Sequence, residues 1–212
     1  MPYGLIFPGA TRRFTFKCTL LADWKGLNTM PGFKNKRINI PKRSECLRLL
    51  ENYTMADEKI MTHCIKVAET AVKVCSLLDH HPPLFDIHLI EAAALLHDMA
   101  RKEPNHAIKG AEILRAMGFG EVADMVSEHM DLRTSPNIAL NEKEILFFAD
   151  KIVAGDQLAM DVENRFKEKL IRYKADPEAV EAINGRLETF SIIREKLSII
   201  LKKDVIKVLQ SI

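Results

Sequence analysis

From Ser44 to the end of the chain, apolar residues return every three or four positions, and no alternating run is long enough to demand a sheet. A period near 3.6 places them on one face of a helix, whereas a half-buried strand needs a period of two. The sequence therefore predicts an all-α body. Ile60, Cys64, Val67, Ala68, Ala71, Val74, Cys75 and Leu78 form one stripe of a helix from about Asp57 to Leu78. His80-His81-Pro82-Pro83 ends it, because proline cannot continue a helix and restrains the residue before it. Ser44 is the expected N-cap of an earlier helix to about Tyr53, and Asp86 that of a later one to about Ala100. The centre of the latter, Ala92–Leu96, is apolar on every side, so this helix should be buried. Further helices are expected over Asn105–Met117, stopped by Gly118, and over Gly120–Met130. Asn141-x-x-Glu144 is a capping box opening a long helix to about Met160. Asp161–Tyr173 continues it or stands apart. Asp176-Pro177 starts a helix to about Leu201, and Asp204–Gln210 ends the chain.

A boundary falls near Pro41–Ser44. With 212 residues and 47% apolar content, the chain suits one domain, placed at 44–212, with length to spare. Residues 1–43 hold nine Lys/Arg and one acid, a net +8; the whole-chain total of +2 leaves −6 for the rest. They are rich in Pro and Gly without a sustained helical period, and are expected to be a basic, irregular N-terminal extension, solvated or poorly ordered. An internal Met30 offers an alternative start. The balanced whole-chain charge gives no argument for a nucleic-acid partner. No apolar run approaches the roughly 20 residues of a membrane span, and Gly4–Ala10 is too short for a signal segment. Cys18, Cys46, Cys64 and Cys75 form no C-x-x-C pair, so free thiols in a reducing compartment are expected, and the protein is read as cytoplasmic.

The chemistry concentrates in a few polar residues with apolar flanks. His63 lies inside a helical stripe. His97-Asp98 ends the run Ala92–Leu96, and Asp150 sits between Ile145–Ala149 and Ile152-Val153. A carboxylate in such surroundings is desolvated, which costs several kcal/mol unless a partner compensates. A lone buried His is more often a hydrogen-bonded core residue, a lone Asp can pair with an Arg, and a His-Asp dipeptide arises often by chance. The joint pattern carries the weight: His63, His97-Asp98 and Asp150, each on a separate predicted helix, since helices of a bundle can converge side chains on one point. Imidazole with carboxylate suits zinc, iron, manganese, nickel or cobalt.

The order H…HD…D on helices resembles the HD-domain superfamily of metal-dependent phosphohydrolases. Leu95-Leu96-His97-Asp98-Met99-Ala100-Arg101 is similar to that family's L-L-H-D-I-[AG]-K, with Arg101 in place of the usual Lys. Phe148-Ala149-Asp150-Lys151 resembles its A-D-K element. His106-Ala107-Ile108-Lys109-Gly110-Ala111-Glu112-Ile113-Leu114 resembles the H-x-x-x-G-A-x-x-L stretch of two-metal members, and His129 falls where such members place another histidine. The likeness covers roughly residues 44–157. The Gly-Tyr-Pro motif of the cyclic-di-GMP phosphodiesterase branch is missing from this sequence.

The resemblance implies a compact HD-type helical bundle with His63, His97, Asp98 and Asp150 as metal ligands. It adds His106 and His129 for a second ion, with Asp98 bridging. It favours two divalent ions, although one ion, with His106 in solvent and His129 at a helix dipole, also fits the residues. It further implies His97 and Asp98 as the catalytic pair and a metal-activated water attacking a phosphomonoester or phosphoanhydride, on a nucleotide or dinucleoside polyphosphate. Arg101, Lys151 and Arg133 are the expected phosphate-binding residues, while Lys102, Lys109, His80, His81 and His88 read as surface or structural. Two rivals stand beside this: di-iron oxygenase chemistry on the same fold, and a non-catalytic module binding metal or nucleotide. The segment Asp131–Asn141 is expected to form a lid.

Overall fold

The computed structural model describes residues 39–211, apart from 80, 82, 83 and 160. The predicted extension up to position 38, with Cys18 and Met30, lies outside them. The described residues form nine helices and one small hairpin: α1 (Arg43–Thr54), α2 (Glu58–Leu77), α3 (Ile87–Leu96), α4 (His106–Ala116), α5 (Gly120–Glu128), α6 (Glu142–Ile152), β1 (Val153–Ala154), β2 (Gln157–Leu158), α7 (Val162–Arg172), α8 (Pro177–Leu201) and α9 (Val205–Gln210). The all-α expectation holds. No helix among the described residues is long and apolar enough to cross a membrane.

The helix starts follow their capping chemistry. Asp57, Asp86, Asp161, Asp176 and Asp204 each accept a bond from a backbone N–H in the first turn, satisfying a donor that no helical carbonyl can reach. Asn141 and Glu144 form the predicted capping box. The first helix is the exception. It starts at Arg43 after Lys42, which makes no side-chain cap, so Ser44 lies inside it. Gly118, at φ +87°, turns the chain sharply between α4 and α5, a backbone angle that glycine adopts without steric cost.

α3 is the hub. Ile90 and every residue from Ala92 to Leu96 are buried, and the helix packs against α1, α2, α5 and α6. Two differences from the sequence expectation matter for the site. α3 stops at Leu96, and residues 97–105 follow as tight turns and a bend. Bonds from Met99 N to Leu96 O, Arg101 N to Asp98 O and Glu103 N to Ala100 O span three residues each, the tighter winding common at helix ends. α6 stops at Ile152 rather than near Met160. The β-branched Val153 leads into a two-residue turn, Gly155-Asp156, and a hairpin pairing Val153 with Leu158 and Ala154 with Gln157.

The expected lid over Asp131–Asn141 is instead fastened to α8. Thr189 donates to Leu132 O at 3.0 Å, and Arg186 Nε donates to Met130 O at 3.0 Å. Glu144 is wholly buried. It accepts from Lys196 Nζ at 2.5 Å and from Thr134, while its other oxygen caps Asn141 N. Cys46, Cys64 and Cys75 are free and buried. Burial pushes the thiols of Cys46 and Cys75 up to about 12, which keeps them protonated and unreactive.

Lys196→Met leaves the Glu144 carboxylate buried without its cation and is expected to cost about 3–5 kcal/mol of stability in urea unfolding; a loss under 1 kcal/mol would contradict this clamp. Asp204 joins α8 to α9: it accepts from Lys207 N at 3.0 Å and Arg194 Nη2 at 2.7 Å. Burial works against its charge, but the Lys207 N–H and the Arg194 guanidinium outweigh it and hold the carboxyl below its usual value. Its stabilisation is therefore complete above an unfolded pKa of about 3.9 and is lost as pH falls through the lower folded value. Asp204→Ala should cost about 1 kcal/mol at pH 7 through the lost cap. That cost should shrink below about pH 4, and an equal cost at pH 7 and pH 2.5 would contradict the assignment.

Candidate metal centre

Four imidazoles form a continuous row through the middle of the bundle. Ring centroids are 5.4 Å apart for His63–His97, 5.1 Å for His97–His129 and 5.3 Å for His129–His106. They come from α2, the turn after α3, the C-terminal end of α5 and the first residue of α4.

Three of the rings are held the same way. Nδ1 of His97 donates to Ala94 O at 2.7 Å, and Nδ1 of His129 donates to Val126 O at 2.7 Å. Nδ1 of His63 lies 3.0 Å from the carbonyl of Gly155, in the hairpin turn. A carbonyl only accepts, so each of these nitrogens carries the proton, and Nε2 is left with its lone pair when the ring is neutral. This is the arrangement in which an imidazole serves a metal ion.

Asp98 occupies the middle of the row and is 2% exposed. Its two oxygens face different pairs of histidines. Oδ2 lies 3.6 Å from His97 Nε2 and 4.0 Å from His63 Nε2. Oδ1 lies 3.1 Å from His106 Nε2 and 3.6 Å from His129 Nε2. The structure thus contains two donor triads sharing one carboxylate: His63, His97 and Asp98, and Asp98, His106 and His129. The donor atoms within each triad lie within 4.8 Å of one another. Asp150 adds an oxygen to the first half, with Oδ1 3.3 Å from His63 Nε2 and 3.6 Å from His97 Nε2.

The donor set fits divalent metal. Nε2 of His97, His106 and His129 is buried without a hydrogen-bond partner, although buried polar groups are as a rule paired. His106 Nε2 is near Asp98 Oδ1 but not aligned for a bond. A cation accepting these lone pairs removes that cost. The acids are already charged. Burial pushes Asp98 upward, but in the metal-free site the protonated form of His97, which Asp98 itself favours, and the contacts from His106 and His129 outweigh it and hold the carboxyl far below the carboxylate range. For Asp150 burial is likewise outweighed, by Lys151, then His63 and His97. Burial pushes His129 down, favouring the neutral ring that a metal requires.

A cavity of about 310 Å³ opens onto the first triad. His63, Asp98 and Asp150 reach it, with Arg101 and Lys151 beside them. Arg101 Nη1 donates to Asp98 Oδ2 at 2.9 Å and keeps a half-exposed side chain. Lys151 Nζ donates to Asp150 Oδ2 at 2.5 Å and lies over the Phe147 ring at 4.8 Å.

The structure brings together His63, His97, Asp98, His106, His129, Asp150, Arg101 and Lys151. Arg133 does not line the cavity. It is exposed and packs on Gly185 of α8, where an added Cβ would come within 2.7 Å of the guanidinium. No residue of the expected lid lines the cavity either. Lys102 pairs with Asp57 and Lys109 with Glu112, while His81 and His88 are exposed. The sequence reading missed three cavity cations, Lys59, Arg165 and Lys169. The signal for the last two was a 162, 165, 166, 169 spacing, which puts Arg165 and Lys169 on the face that Val162 and Phe166 bury.

The family model of the HD domain matches residues 60–155. Among curated proteins, the chain is similar to a tRNA (cytidine(56)-2'-O)-methyltransferase of Thermoplasma volcanium. The identity is 30% over 149 residues, covering 62% of this chain and 42% of that protein. A Picrophilus torridus protein of the same name is 28% identical over 185 residues, 76% of this chain and 52% of its own length. An uncharacterized protein of Methanocaldococcus jannaschii is 28% identical over 146 residues, 59% of this chain and 85% of its own. The matches thus span about half or less of the two methyltransferases. No solved structure matches the chain. All six clustered His and Asp residues lie inside residues 60–155, the segment that matches the HD domain.

Proposed function

We propose that this protein is a metal-dependent phosphohydrolase that cleaves a phosphomonoester or phosphoanhydride of a nucleotide-type substrate. The observation that carries the proposal is the division of Asp98 between two histidine pairs, with the Nε2 atoms of His97, His106 and His129 buried without a hydrogen-bond partner. In this reading His63, His97, Asp98 and Asp150 hold one divalent transition metal ion and His106, His129 and Asp98 a second. Such ions supply a water acidified towards neutral pH and neutralise charge on a phosphoryl oxygen.

The chain's own residues do the rest. Asp98 spans the two halves and fixes their separation. The Nδ1 bonds of His63, His97 and His129 aim their rings without reorganisation. Lys151 holds positive charge at the cavity wall beside Asp150, where it offsets negative charge developing on the phosphoryl group in a partly desolvated place. Arg101 reaches from Asp98 into the cavity with part of its guanidinium free, suiting it to a non-bridging phosphate oxygen. The cationic lining favours this reading over oxygen chemistry on a neutral substrate.

The methyl-transfer activity in the two relatives' names is not carried over. The chain spans about half or less of those proteins, and its clustered groups are imidazoles and carboxylates. Those names do support a second version of the substrate, a phosphate on an RNA end rather than on a free nucleotide.

Turnover of p-nitrophenyl phosphate and of nucleotides should vanish after chelation and return with added manganese or iron; full activity in metal-free protein would sink the proposal. Asp98→Asn should lower kcat/KM at least about 1000-fold, roughly 4 kcal/mol of transition-state stabilisation, with the helical circular dichroism unchanged. Lys151→Met should lower kcat about 100-fold with little change in KM. A Lys151→Met enzyme that keeps kcat but loses KM would move this residue from transition-state stabilisation to substrate binding.

A further inference from the structure

The cavity beside the metal centre holds more positive charge than a single phosphoryl group accounts for. Five cations line it, Lys59, Arg101, Lys151, Arg165 and Lys169, against two carboxylates, Asp98 and Asp150. Arg101 and Lys151 are matched with those carboxylates at 2.9 and 2.5 Å. Among the described residues, Lys59, Arg165 and Lys169 form no ion pair.

Arg165 and Lys169 stand one turn apart on the face of α7 that is seated by Val162 and Phe166. Nη1 of Arg165 donates to the carbonyls of Lys151 and Val153 at 3.0 and 3.3 Å, which fixes the guanidinium at the end of α6. Its Nε and Nη2 make no bond among the described residues. Lys169 lies over the Phe166 ring at 5.9 Å, at the exposed mouth of the cavity. Its ammonium is pushed below the usual value, first by partial burial and then by the charges of Lys151 and Arg165. Lys59 also lines the cavity, from the first turn of α2, one turn before His63.

Arg165 and Lys169, one turn apart, repel each other, and Lys59 adds a third unmatched cation to the same lining; a ligand with its own negative charge offsets that repulsion. We propose that Arg165, Lys169 and Lys59 form a second anion subsite, which takes a phosphate adjacent to the one at the metal centre and makes diphosphate-bearing compounds the preferred substrates. This rests on the phosphohydrolase reading for the identity of the reacting group, but not for the anion binding itself. The apolar lining from Ile60, Val153 and Phe166 leaves room for the organic part of such a molecule.

The test is calorimetric binding to the metal-loaded protein of two non-hydrolysable probes, methylenebisphosphonate and methylphosphonate. The wild-type protein should bind the bisphosphonate at least about tenfold more tightly. Lys169→Gln and Lys59→Gln should each reduce that ratio severalfold, leaving methylphosphonate affinity and metal content unchanged. A ratio near one, or a ratio that neither variant changes, would overturn the proposal. Both lysines are exposed and outside the core, so loss of folding does not cloud the result. ADP and an oligoribonucleotide with a 5′-diphosphate form two further arms. Whichever binds in a Lys169-dependent way identifies the source of the diphosphate, and dependence in neither would again overturn the subsite. Discrimination without any turnover would remove the hydrolase reading and leave the subsite; turnover without discrimination would do the reverse.

Discussion

The Asp98 carboxylate is the constraint around which the structure is arranged. A charge 2% exposed at the end of an apolar helix is costly unless it is compensated on every side. Here compensation comes from four imidazoles, two facing each oxygen, and from Arg101 at the solvent edge. Removing any one of these leaves charge or lone pairs without compensation in a largely buried place. The centre is therefore a coupled unit, and its parts should not contribute additively.

The fold serves that unit by ending its elements at the right points. α3 brings an unbroken apolar run to Leu96 and then tightens, so that His97 and Asp98 leave the helix together and both point into the core. α5 stops at Glu128, leaving His129 at its end with Nδ1 bonded to Val126. α6 stops at Ile152, and the following hairpin places the Gly155 carbonyl against His63. α8 contributes no clustered donor, yet it fastens the segment after His129 through Arg186, Thr189 and Lys196. Rigid support of this kind is what holds reactive groups in register.

Much of this was legible in the sequence, and for identifiable reasons. Helix starts were readable because Asp and Asn caps act locally, as at Asp86, Asn141 and Asp176. His63, His97, Asp98 and Asp150 stood out because each broke an apolar pattern, whereas His106 and His129 emerged only through the resemblance. Helix ends were harder to read. The pattern 92–100 stays apolar through Met99-Ala100, so nothing local reveals that winding changes at His97. The pattern 145–153 gives no sign of the hairpin, which depends on tertiary contact with α2. Arg133 looked like a phosphate binder by composition, but the absence of a side chain at Gly185 lets it lie on α8 instead. Arg165 and Lys169 were hidden because basic residues on a polar helix are ordinarily solvated; only the position of α7 gives them a role.

In the proposed reading, Asp98 lies between two metal ions held by the flanking histidine pairs. Crystals of protein loaded with manganese, measured on both sides of the manganese absorption edge, test it directly. Two anomalous peaks roughly 3.5–4 Å apart are expected, one near His63 and His97, the other near His106 and His129, each within bonding distance of an Asp98 oxygen. A single peak, or two peaks of which one does not touch Asp98, would contradict it.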